Sequence, residues 1–101
     1  MLREYRIETD AGVYNLKYTT KALVFLEQQF GMSINDIGKK VSENVSMTDL
    51  VKLFKAALIH ENPNVTDEQI YNVIDSIGIK QAAEAIAKAF QYALGGEEEK
   101  N

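Results

Sequence analysis

Apolar residues recur at every second position over the first eighteen residues and at every third or fourth position thereafter. Tyr5 and Ile7 alternate with Glu4, Arg6 and Glu8, while Tyr14, Leu16 and Tyr18 alternate with Asn15 and Lys17. A period of two marks half-buried strands. Asp10-Ala11-Gly12 between the two runs is a turn signal, with Gly12 able to take positive φ. The pattern predicts a β-hairpin. A two-stranded hairpin is marginal alone, so its apolar face has to rest on helices or on another chain.

The rest of the chain has helical spacing. Thr19 or Thr20 caps a helix running to Phe30, with Leu23, Leu26 and Phe30 as its stripe, Ala22 and Phe25 alongside, and Gly31 as its stop. Ser33 caps a short second helix bearing Ile34, Ile37 and Val41 on one face and Asp36 at its third position; Gly38 weakens it. Ser46-Met47-Thr48-Asp49 has the form of a capping box with aspartate replacing the usual glutamate. It opens the clearest helix, whose stripe is Leu50, Leu53, Phe54, Ala57 and Leu58 and whose expected end is near Asn62, because Pro63 disfavours helix just before it. Thr66-Asp67-Glu68-Gln69 is a second capping box, leading a stripe of Ile70, Val73, Ile74 and Ile77 to Gly78. The last helix is expected from Lys80 to Leu94, with Ala83, Ile86, Phe90 and Ala93 among its apolar positions and further alanines that permit close helix approach. The expected architecture is α+β and mostly α, an N-terminal β-hairpin packed on about five short helices. It forms one domain over residues 1–94, with a flexible acidic tail over residues 95–101.

Composition narrows the function classes. The 101 residues suit one domain, and 46% hydrophobic content supplies a core. Formal net charge is −4, half of it from Glu97, Glu98, Glu99 and Lys100, and Lys39-Lys40 is the only basic pair. A mildly acidic chain without a basic run disfavours a nucleic-acid partner. The absence of cysteine removes disulfides and thiolate metal sites and fits a reducing compartment. MLREYRIETD has no apolar leader core, and no apolar run approaches the roughly 20 residues of a membrane span. A soluble intracellular protein with no membrane partner is expected.

Catalytic, metal and cofactor constellations are not expected from the residues. His60 is the single histidine and reads as a solvated cap at a helix C-terminus, where the dipole favours a cation. A hydrolase would have to bring it to a nucleophile such as Ser76. Carboxylates such as Asp75 fall on polar helix faces. The helix beginning at Thr66 is followed by Ser76-Ile77-Gly78-Ile79-Lys80, which lacks the alternating oxygen ligands of a calcium loop. As a recognition helix, residues 66–78 would present Asp67, Glu68 and Asp75 and no Arg or Lys. Met32, Ile34 and Met47 lie near helix junctions. They serve either core closure or an adaptable contact surface for another chain.

The hairpin leading into YNLKYTTKALVFLEQQFGMSINDIGKKV, then a helical pair, then NVTDEQIYNVIDSIG, then an alanine-rich helix, resembles the tail assembly chaperones of long-tailed (siphovirus-type) phages and prophages of Gram-positive bacteria. The resemblance covers about residues 13–94. It is carried by Leu16, Thr19, Ala22-Leu23, Leu26-Glu27 and Gly31, a helix-packing pattern with no catalytic signature. It implies a non-enzymatic protein of the bacterial host cytoplasm, absent from the mature virion. Such a protein needs no cofactor, binds the tape measure protein and keeps it soluble while tail-tube subunits assemble. It also implies two products from one start, the longer made by ribosomal frameshifting. Glu99-Lys100-Asn101 can be encoded GAA-AAA-AAC, which contains the slippery A-AAA-AAC. Tyr14, Tyr18, Met32 and Ile34 are the candidate partner-contact residues, and open hairpin edges predict self-association. The alternative reading is a small regulatory helical protein that binds DNA.

Overall fold

The computed structural model of the chain describes residues 4–10 and 12–95. The element order is β1 (Tyr5–Thr9), β2 (Gly12–Leu16), α1 (Thr20–Phe30), α2 (Ile34–Glu43), α3 (Met47–Leu58), α4 (Asp67–Ile77) and α5 (Ile79–Leu94). The fold is therefore α+β and mostly α, a hairpin followed by five helices. The acidic tail from residue 96 onward lies outside the described residues.

The strands pair antiparallel, with Tyr5 opposite Leu16, Ile7 opposite Tyr14 and Thr9 opposite Gly12. Gly12 takes φ +134°, which side chains at Cβ disfavour. Each capping residue read from the sequence acts as one. Thr19, Ser33, Ser46 and Thr66 accept from the backbone N–H of Ala22, Asp36, Asp49 and Gln69. Around Thr66 the box is reciprocal, since its own N–H donates to Gln69 Oε1 at 2.9 Å. Around Ser46 the aspartate instead turns to α2, where Lys40 Nζ lies 3.5 Å from Asp49 Oδ2.

Helix α3 is the axis of the fold. It packs against α1, α4, α5 and β2. Its predicted stripe is buried, and Ala56 is buried as well, because neighbours flank the helix on more than one side. The α-helix ends at Leu58, four residues before the expected stop. The chain continues to Asn62 in hydrogen-bonded turns, with Glu61 and Asn62 both donating to Leu58 O. On α5 the buried face is Ala82, Ala85, Ile86, Ala89 and Phe90. Ala83 and Ala93, expected on that face, are only half-buried. Alanines nearly all round the helix give no preferred side, so its neighbours set the rotation.

Four hydrogen bonds tie β2 and the two residues after it to α3 and the turns that follow it. Lys17 N–H donates to Ala57 O at 3.0 Å. The Tyr18 hydroxyl donates to Leu53 O at 2.7 Å, and its ring meets Phe90 edge-on at 4.8 Å. His60 Nε2 donates to Asn15 O at 2.7 Å, while Asn15 Nδ2 donates to Glu61 Oε2 at the same distance. His60 is therefore half-buried and bound to β2, where a solvated helix cap was expected.

Candidate functional site

Residues of α1, α3 and α4 at the edge of the core line an open groove of about 480 Å³. Helical spacing builds each wall. Phe25 and Gln29 lie one turn apart on α1; Met47, Thr48, Val51, Lys52 and Lys55 run along α3; Asp67, Tyr71, Ile74 and Asp75 follow i, i+4, i+7, i+8 on α4. The floor is apolar, with Ile74 buried and Phe25 and Val51 half-buried. Met47 and Tyr71 stand at its mouth, 45% and 46% exposed. A large aromatic and a methionine left in solvent beside a recess are informative, whereas Val13, Val24, Ile79 and Leu94, at least as exposed, do not line it.

Charges frame this apolar floor. Lys55 Nζ meets Asp67 Oδ1 at 3.2 Å and ties α3 to the first turn of α4. Lys52 leans toward α1, its Nζ 5.7 Å from the centre of the Phe30 ring. Asp75 is exposed on the α4 side. The arrangement can take up apolar side chains and meet polar groups at the rim.

The residues proposed as contacts from sequence lie elsewhere. Tyr18 is 1% exposed, so it is a core residue and not a contact; it follows the strand directly and is held by Leu53 O. Burial also pushes its phenol well above the ordinary tyrosine value. Tyr14 is half-buried opposite Ile7 and packs on the core. Met32 and Ile34 are half-buried at the α1–α2 junction, also against the core, and Ile34 N–H donates to Glu27 Oε2 at 2.9 Å. Of the three junction residues, Met47 lines the groove and Met32 and Ile34 do not. Tyr71 was missed. Its signal was a bulky residue one position off the α4 stripe, which only the position of α3 makes meaningful.

His60 binds Asn15 O, whereas Ser76 Oγ accepts from the N–H of Asp10. Among the described residues no group of three or more His, Asp or Glu is placed to hold a metal ion, and no helix is long and apolar enough to cross a membrane. No family model, curated protein or solved structure matches this chain.

Proposed function

We propose that this chain is a non-catalytic binding protein, a phage tail assembly chaperone that holds apolar helical segments of the tape measure protein and keeps them soluble during tail assembly. The observation that carries the reading is the apolar groove over α3 with Met47 and Tyr71 at its mouth. A recess walled by helices suits the helix-in-groove mode, in which an amphipathic partner inserts anchors at i, i+3, i+4 and i+7. Each anchor of leucine size contributes about 1.5–3 kcal/mol. Association costs about 4–15 kcal/mol. Three or four anchors therefore give a weak, reversible grip, as release during assembly requires. Methionine at the mouth accommodates varied anchors. The resemblance of residues 13–94 to tail assembly chaperones names the partner, and the bacterial cytoplasm is the place of action. Self-association belongs to the same proposal and would use β1, because the outer edge of β2 is covered at Asn15 by His60.

Co-expression with the tape measure protein tests the reading. The expected result is a soluble partner that co-purifies with this chain. Met47→Lys with Tyr71→Lys should abolish co-purification while shifting stability by no more than about 1 kcal/mol, because both residues are half-exposed. A partner that stays insoluble with this chain and with any longer frameshifted form would refute it. So would capture that survives both substitutions.

A further inference from the structure

The groove is electrically lopsided, and we propose that it selects a helix whose apolar stripe is bordered by acidic residues on one flank and basic residues on the other. This inference rests on the groove being the docking site. Lys52 stands at its α1 side, over Phe30, and makes no ion pair among the described residues. Asp75 stands exposed at its α4 side and likewise makes none. Asp67, also on the α4 side, is already neutralised by Lys55. The rim therefore offers one uncompensated cation and one uncompensated anion on opposite sides of an apolar floor.

An occupant with two basic flanks brings like charge to Lys52, and one with two acidic flanks brings like charge to Asp75. A split helix satisfies both. Turning a helix end for end exchanges its flanks, so the same charges also set the direction in which the occupant lies. The pattern excludes a plain leucine-rich segment as the preferred ligand.

The test uses the full chain and three synthetic helical peptides with one leucine stripe and different flanks: split Glu/Lys, all Glu, and all Lys. Binding is measured by fluorescence anisotropy. The split peptide should bind about fivefold more tightly than either other, because at one of the two rim charges it puts an ion pair where the other peptide puts a like-charge contact. That advantage should vanish in about 1 M salt. Lys52→Glu makes both sides acidic and should move the preference to the all-Lys peptide. Asp75→Lys should move it to the all-Glu peptide. Circular dichroism checks that both variants stay folded. Equal affinity for the three peptides, each still lost in Tyr71→Lys, overturns the charge selection and leaves the groove as a docking site. Absence of binding, or binding indifferent to Tyr71→Lys, overturns the docking reading and the inference with it. Self-association that Tyr71→Lys abolishes would seat a second copy of the chain in the groove and overturn its assignment to a partner helix.

Discussion

Replacing Tyr18 with phenylalanine removes one buried oxygen and leaves the ring. The hydroxyl donates to Leu53 O at 2.7 Å in a setting 1% exposed, and a buried hydrogen bond contributes about 0.5–1.5 kcal/mol net. Tyr18→Phe should therefore cost about 1 kcal/mol at pH 7. Tyr18→Ala also removes the ring that meets Phe90 at 4.8 Å and should cost about 3–5 kcal/mol. That is a large part of the roughly 5–15 kcal/mol that stabilises a domain. The hydroxyl also carries a pH signature. Burial raises the phenol well above its ordinary value, so above about pH 10 the unfolded chain releases a proton that the folded chain keeps. Fewer protons on the unfolded state mean stability falls as pH rises. The contribution of this group is constant below about pH 9 and falls by up to about 1.4 kcal/mol per pH unit above 10. Every other group is common to the two proteins and cancels in the difference. Urea unfolding of the wild type and Tyr18→Phe at pH 7, 9, 10 and 11 measures it. The advantage of the wild type should shrink and then reverse with rising pH. Parallel curves for the two proteins would refute the buried, hydrogen-bonded phenol.

Two further predictions concern stability. Gly38 lies inside α2 without positive φ, and a Cβ there would sit 3.8 Å from Leu94 Cδ1 and the Phe90 ring, an ordinary contact. Gly38→Ala should stabilise by about 0.5–1 kcal/mol and raise Tm by several degrees in calorimetry; a lower Tm would contradict the packing described. Thr66→Ala removes the acceptor for Gln69 N–H and should cost about 1 kcal/mol in urea unfolding, with Thr66→Ser restoring most of it.

Local chemistry made much of this fold readable. The caps at Thr19, Ser33, Ser46 and Thr66 are decided within three residues, so their sequence signals suffice. The buried stripe of α3 was readable because leucine and phenylalanine occupy one face and lysine another. On α5 the same reasoning misplaced Ala83 and Ala93, since alanine hardly distinguishes faces. Tyr18 continued the alternation of β2 and looked like a strand residue. Its burial depends on Leu53 and Phe90, which lie far along the chain. His60 was misread for the same reason, its partner Asn15 being 45 residues away. The groove was the least legible feature. Met47 reads from sequence only as one of three apolar residues near helix junctions, and three helices must be placed before Phe25, Met47 and Tyr71 face one recess.

The contacts that seat the hairpin also order events during synthesis. Tyr18 waits for Leu53, 35 residues later; Asn15 waits for His60 and Glu61, 45 and 46 residues later; Asp10 waits for Ser76, 66 residues later. Ribosomes deliver the hairpin before any of these supports, and two strands alone are marginally stable. The earliest of these segments to leave the ribosome is thus among the last to become fixed. A nascent chain stalled before α3 has emerged should show the hairpin amides exchanging freely with solvent, and they should become protected only once residues 47–62 are outside the tunnel.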